Sequence, residues 1–111
     1  MLDSCSIIIR KPLGHEYATL GIRAAWAMLT NASLDIKVLV MGDGVYSLLA
    51  KTGYVKDMFE RFIAEEGEVY AIKEDLAARG LDEGSLPDGV ELIDAGDVSE
   101  LVMNTDSVMT F

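Results

Sequence analysis

The sequence predicts an α/β protein, in which a mostly parallel sheet of four or five strands lies between two layers of helices. Short β-branched runs bounded by turn residues recur along the chain, as expected of strands that are buried on both faces. Longer segments separate these runs, and their apolar residues recur three or four positions apart, which is typical of amphipathic helices. This alternation favours a three-layer α/β/α arrangement with right-handed crossovers.

The chain begins with a predicted strand and a long predicted helix. Residues 4–9 are short, β-branched and apolar, and the strand ends before Pro12 and Gly14, which break regular structure. Residues 15–31 are predicted to be helical, because their apolar side chains keep a spacing of three and four along one stripe.

A second strand-and-helix pair follows. Residues 35–41 are the predicted strand, and the glycines of residues 42–44 form a tight turn, because glycine adopts positive φ without a Cβ clash. The next helix is predicted from residue 45, with an interruption near Gly53, and continues to residue 66. Gly67 is expected to close it as the C′ residue.

The second half of the chain repeats the alternation with shorter elements. Residues 69–72 are a predicted strand that runs directly into a helix over 73–79, and a loop follows. Residues 90–93 are the fourth strand, 97–104 a short helix, and 107–111 a fifth strand whose direction the pattern leaves open.

Composition bounds the function classes. The 111 residues predict one domain spanning residues 1–111, and the net charge is −10. Such a chain lacks the basic footprint that direct nucleic-acid binding requires, and an anionic membrane surface repels it. The single cysteine excludes an intramolecular disulfide, and the start of the chain lacks a signal-peptide pattern. We therefore expect a protein of the cytoplasm.

Candidate ligand-binding residues lie where the predicted strands end. In an open parallel sheet these ends meet at one edge, where a crevice forms. A small anion is the expected ligand, because a histidine and two lysines are placed there in an acidic chain, beside a glycine-rich corner whose N–H groups could cradle an anion. The candidates are Lys11, His15, Gly42, Asp43, Gly44 and Lys73. The alternatives are that His15 caps the first helix or is solvated, and that Asp43 caps the helix after the glycine turn.

The positions of two further groups of residues suggest roles for them. Cys5 is the only cysteine, and it lies at the start of a strand, where a buried thiol that packs as a hydrophobe is expected. Tyr54, Met58 and Phe62 recur every four residues, and this stripe is the candidate subunit interface. A single histidine with scattered carboxylates gives no metal-ligand spacing, and no cofactor is predicted.

Several stretches resemble the DsrE/DsrF/DsrH-like sulfur-relay family. The first half is similar to the DsrF-type branch through Gly21-Ile22-Arg23-Ala24-Ala25-Trp26-Ala27 and Val38-Leu39-Val40-Met41-Gly42-Asp43-Gly44. The second half is similar to the DsrH-type branch through Val69-Tyr70-Ala71-Ile72-Lys73-Glu74-Asp75-Leu76, Ala78-Arg79-Gly80 and Val90-Glu91-Leu92-Ile93-Asp94.

The resemblance implies a flavodoxin-like, DsrE-like domain. It also implies homo-oligomers (dimers, trimers or hexamers) or hetero-oligomers with DsrE-type paralogues. In some members it implies transfer of persulfide sulfur, towards tRNA thiolation or in sulfur oxidation. The family's sulfur-carrying cysteine sits at a strand-to-helix corner, a position that falls at Ile72 here when counted back from Arg79-Gly80.

Two classes of function follow. The favoured hypothesis is a non-catalytic, oligomer-forming member of the sulfur-relay family. The alternative is an enzyme, either a sulfurtransferase that carries a persulfide on Cys5 or a small-anion-binding enzyme that uses a cleft of Lys11, His15 and Asp43.

Overall fold

The computed structural model describes residues 3–111. The strands are β1 (Ser4–Ile9), β2 (Asp35–Val40), β3 (Glu68–Ile72), β4 (Val90–Ile93) and β5 (Ser107–Thr110). The α-helices are α1 (Glu16–Asn31), α2 (Tyr54–Ala64), α3 (Lys73–Ala78) and α4 (Val98–Met103). Three 3₁₀ segments cover Gly42–Leu49, Glu83–Ser85 and Ala95–Asp97.

All five strands are parallel and form one sheet in the order β4-β3-β2-β1-β5. The register aligns four β-branched residues in one row, Ile7, Val38, Val69 and Val90. The strand order reverses at β1, since β2 to β4 follow on one side of it and β5 lies on the other. The predicted parallel α/β sheet is confirmed, and the structure decides that the last strand is parallel as well.

The two faces of the sheet are covered unequally. Helices α1 and α2 pack on one face and build the main core, into which Leu76 of α3 also inserts. The other face carries a small cluster of Leu39, Tyr70 and Ile72, against which Val98 and Leu101 of α4 pack. The three layers are therefore present, but one outer layer is supplied mainly by a helix of six residues.

The glycine-rich turn continues as a 3₁₀ segment rather than as the predicted α-helix. Gly42 has a φ of +53°, which confirms the expected positive φ at this corner. Gly44 is needed for a different reason, because a Cβ there would overlap the carbonyl oxygen of Ile9. The segment Gly42–Leu49 therefore lies directly against the end of β1.

The prediction that Gly67 closes the second long helix as its C′ residue is wrong, because the C-cap is Glu65 and Glu66 follows it as C′. Glu66 takes the left-handed conformation, with a φ of 69°, while the N–H of Gly67 donates to the carbonyl oxygen of Phe62 at 2.9 Å. A Cβ on Gly67 would overlap the Phe62 ring. Glycine is required here for close packing and not for its backbone freedom.

The proposed interface stripe does not form one exposed face. Met58 is 5% exposed and Phe62 is fully buried, and both belong to the core beneath α2. Tyr54 is 53% exposed. The predicted interface stripe is therefore wrong for Met58 and Phe62, because both already pack inside a single chain.

Among residues 3–111, no helix combines the length and the apolar character that crossing a membrane requires.

Candidate functional site

A cleft of about 660 Å³ opens at the carboxyl ends of β1, β2 and β5, where the strand order reverses. This is the position at which open α/β sheets bind their ligands. The lining residues are Arg10, Lys11, Pro12, His15, Tyr17, Met41, Gly42, Asp43, Arg79, Thr110 and Phe111. Four of the predicted site residues, Lys11, His15, Gly42 and Asp43, are among them.

His15 is the N-cap of α1, as the helix-cap alternative predicted. Its Nδ1 accepts a hydrogen bond from the backbone N–H of Tyr17 at 3.1 Å. In the neutral imidazole the hydrogen therefore resides on Nε2, which remains able to donate. The ring of Tyr17 packs on the His15 ring at a tilt of 59°, with 5.2 Å between their centroids.

Asp43 is held by an ion pair and does not cap the 3₁₀ segment. Its Oδ1 accepts from Nε of Arg79 at 3.1 Å and lies 3.0 Å from Nη2 of the same guanidinium. Nη1 of Arg79 donates to the backbone carbonyl of Asp75 at 3.0 Å. Because these bonds engage all three guanidinium nitrogens, Arg79 forms a fixed wall of the cleft whose charge Asp43 balances.

The glycine corner does not offer the anion-binding amides that the sequence suggested. The N–H of Gly42 donates to Oδ2 of Asp75 at 2.8 Å, and the N–H of Gly44 donates to the carbonyl of Met41 at 2.8 Å. Gly44 is buried behind the corner and does not line the cleft. Any anion recognition in the cleft must therefore come mainly from side chains.

Lys73 belongs to a different part of the sheet edge. Its Nζ lies 4.0 Å from Oδ1 of Asp94, beyond β3 and β4, and it is not part of the cleft lining. The prediction that Lys73 shares one cleft with Lys11 and His15 is wrong. Strand β2 lies between β1 and β3 in the sheet, so the end of β3, where Lys73 follows, is not next to the end of β1.

The structure adds two arginines that the sequence reasoning missed. Arg10 directly follows β1, so the rule that selected Lys11 could also have selected it. Arg79 reaches the cleft from the end of α3, and only the tertiary structure places it there. Three of the nine lysines and arginines and the only histidine thus line one cleft of an acidic protein.

The only cysteine lies away from this cleft. Cys5 is 3% exposed and belongs to the main core near the amino end of β1. Burial raises the pKa of its thiol, an effect that a hydrogen bond with Ser107 partly offsets. The corner position that the family resemblance assigns to a cysteine is Ile72, which is buried and precedes α3.

A second and larger cleft, of about 830 Å³, was not anticipated from the sequence. It lies between the end of the first 3₁₀ segment, helix α2 and the loop of residues 80–88. Leu48, Phe59, Ile63 and Leu86 give it a largely apolar lining. Across the part of the chain that the structure describes, no group of three or more metal-ligating side chains is present.

Comparisons with known proteins agree with this architecture. A family described as DsrH like protein matches residues 20–108, a range that runs through both halves of the chain. An uncharacterized protein of Methanopyrus kandleri, MK0008, is 30% identical over 118 residues, which cover 99% of this chain and 95% of that protein.

Two solved structures share the fold. The YchN protein of E. coli has a TM-score of 0.87 and 27% identity, with 100% of both chains covered. MTH1491 of Methanobacterium thermoautotrophicum, a protein of unknown function, has a TM-score of 0.80 and 18% identity, with 97% of this chain and 98% of that chain covered. Since the family match spans most of the sequence, the chain belongs to the DsrH-like family, within the DsrE/DsrF/DsrH group of sulfur-relay proteins.

Proposed function

We propose that this chain is a non-catalytic, oligomer-forming member of the sulfur-relay family, which supports sulfur transfer without carrying sulfur itself. The observation that carries the proposal is the chemistry of the strand-to-helix corner between β3 and α3. Ile72 occupies the position at which the family resemblance places a cysteine, and its side chain packs with Leu39 and Tyr70. An aliphatic side chain at this corner has no nucleophilic atom.

The alternative, a persulfide on Cys5, is less well supported. A sulfur carrier requires an accessible thiolate, which a nearby cation or a helix N-terminus stabilises by lowering the thiol pKa. Cys5 is buried, and burial raises the pKa of its thiol instead. A partner's persulfide would have to enter the main core to reach it.

The test is incubation of the protein with a cysteine desulfurase that carries a persulfide, followed by intact mass measurement. We expect no added sulfur on the native protein, and no difference between the wild type and Cys5→Ser. A stable added sulfur atom that disappears in Cys5→Ser would overturn the proposal, because it would show that Cys5 accepts sulfur.

The edge of the sheet at β5 supports the oligomer-forming part of the proposal. Strand β5 is an edge strand, and an unpaired edge can associate with another chain. Val108 and Met109 of this strand are exposed, and Met103 at the end of α4 is 82% exposed. Exposed apolar side chains beside a free edge are typical of an association surface.

Light scattering at micromolar concentration tests association directly. We expect a molar mass that is a multiple of the 12.1 kDa of one chain. The double variant Met103→Lys and Val108→Lys should lower this mass. Tyr54→Lys, at an exposed site of α2 on the opposite face of the sheet from α4, should not. A wild-type mass of one chain would contradict the proposal of a homo-oligomer.

Small-anion binding in the cleft is the second candidate function. Arg10, Lys11 and the donor-competent Nε2 of His15 favour it. Titration of the His15 ring signals by NMR with sulfate, thiosulfate and phosphate tests it. We expect shifts at millimolar anion that saturate, and unchanged signals would refute an anion site.

A further inference from the structure

We propose that the cleft at the ends of β1, β2 and β5 binds a small organic phosphate with a flat body, rather than a bare inorganic anion. This inference rests on the anion-binding function proposed above. It assigns the phosphate group to Arg10, Lys11 and His15, and the flat body to the exposed ring of Tyr17.

The donors that remain available fit a phosphate group. Arg10 and Lys11 are exposed, and within residues 3–111 no side-chain nitrogen of either residue lies within 4.0 Å of a carboxylate oxygen, although the backbone N–H of Arg10 donates to the main-chain oxygen of Phe111 at 2.9 Å. Nε2 of His15 is the third donor, because Nδ1 is occupied by the backbone N–H of Tyr17. Three separate donor groups match the three terminal oxygens of a phosphate monoester, whereas a carboxylate offers two.

The fixed pair of Arg79 and Asp43 defines the opposite wall. Arg79 is already hydrogen-bonded to Asp43 and to the backbone carbonyl of Asp75. It therefore shapes the wall of the cleft and contributes little hydrogen bonding to a ligand. Asp43 would repel a second negative charge that lay close to it. This arrangement favours a ligand with one phosphate over a polyphosphate or a nucleic-acid strand, which the net charge of −10 also repels.

The size and the apolar lining of the cleft indicate a ligand that is larger than a phosphate ion. Its volume of about 660 Å³ lies in the range of ~300–1,000 Å³ that is common for sites of drug-sized organic ligands. Tyr17 is 46% exposed, and Met41 and Phe111 also line the cleft. An exposed tyrosine ring next to cationic donors provides a surface on which a flat ligand can stack.

The experiment compares three probes by NMR titration at pH 7.5: phenyl phosphate, inorganic phosphate and phenol. We expect phenyl phosphate to bind about tenfold more tightly than inorganic phosphate, since stacking of one ring contributes roughly this factor. Tyr17→Ala should reduce the affinity for phenyl phosphate to that of inorganic phosphate, while the affinity for inorganic phosphate stays unchanged. The backbone N–H of residue 17, which bonds to His15, is retained in this variant.

Matched variants separate local contacts from general effects. Tyr54→Ala removes a tyrosine of similar exposure outside the cleft and should change neither affinity. Lys11→Ala should weaken the binding of phenyl phosphate and of inorganic phosphate at least fivefold. Lys51→Ala changes the net charge equally but lies outside this cleft, and it should weaken the binding of neither.

Each other outcome contradicts a distinct claim. Equal affinities for inorganic and phenyl phosphate, unaffected by Tyr17→Ala, would overturn the proposal of an organic ligand. The proposal of an anion site would still hold. Equal affinities for phenol and phenyl phosphate would show an apolar pocket without phosphate recognition. Binding of none of the probes would refute the organic ligand together with the anion site.

Discussion

The carboxylate of Asp75 on α3 accepts a hydrogen bond from the backbone N–H of Gly42, 33 residues earlier in the chain, at 2.8 Å. Its other oxygen lies 3.9 Å from Nη1 of Arg79, the residue that holds Asp43. One side chain thus ties α3 to the corner after β2 and helps to orient the guanidinium at the cleft wall. A separation of four residues predicts the contact between Asp75 and Arg79 along one helix, but it does not predict the bond to Gly42.

Removing this carboxylate should destabilise the protein. We expect Asp75→Ala to lower the free energy of unfolding by about 1–3 kcal/mol, because the partly buried N–H of Gly42 loses its partner. Asp75→Asn should lose less, since an amide oxygen can still accept. Urea denaturation measures both, and Glu83→Ala, at an exposed carboxylate, is the control. Equal stabilities of Asp75→Ala and Glu83→Ala would argue against a role of the bond in the fold.

Gly44 should tolerate no side chain. In Gly44→Ala the new Cβ would overlap the carbonyl oxygen of Ile9, so either β1 or the 3₁₀ segment must move. We expect a loss of at least ~1–3 kcal/mol, as is typical of overpacking in a core. Gly96→Ala is the matched control, because nothing lies within 4 Å of a Cβ there. Thermal unfolding compares the two, and a Gly44→Ala variant as stable as Gly96→Ala would contradict the close approach.

The location of Phe62 in the core gives a third expectation. Phe62→Ala should lower the free energy of unfolding by about 3–5 kcal/mol, because it leaves a cavity under α2. Tyr54→Ala, at the exposed end of the same stripe, should change stability little. Denaturation at several protein concentrations checks whether the Phe62 effect is independent of association. If Phe62→Ala dissociated an oligomer and left the chain fully stable, the residue would be an interface contact after all.

Tyr70 should make the protein sensitive to alkaline pH. Burial, and next the hydrogen bond from its hydroxyl to Glu68, raise the pKa of Tyr70 above the ordinary value of about 10. The unfolded chain therefore loses this proton first. As a result, the contribution of Tyr70 to stability is complete below pH ~10 and decreases as the pH rises from there towards the raised pKa.

Urea midpoints between pH 8.5 and 11 test this linkage. The wild type should lose stability over this range more steeply than Tyr70→Phe, which has no proton to lose. Tyr54→Phe, which changes an exposed tyrosine, should follow the wild type. If Tyr70→Phe and the wild type had the same slope, ionisation of Tyr70 would not be linked to unfolding.

The sequence by itself determined the elements of this protein and much of the site's location. Alternating β-branched runs and helical stripes are local patterns, and they predicted the strands, α1 and the parallel sheet because each pattern depends on neighbouring residues only. The same patterns placed Lys11, His15 and Asp43 at the carboxyl edge, where the structure brings them together.

The tertiary structure decided what local patterns leave open. The spacing of Met58 and Phe62 fits a stripe that faces the core as well as one that faces solvent. Only the packing of α2 on the sheet decides that both side chains are buried. Asp75 and Arg79 contact the corner at Gly42 although they lie more than thirty residues later in the chain. These contacts depend on where α3 packs. These choices are made by long-range packing and by pairing of charges and N–H groups, for which the spacing of residues along the chain carries no signal.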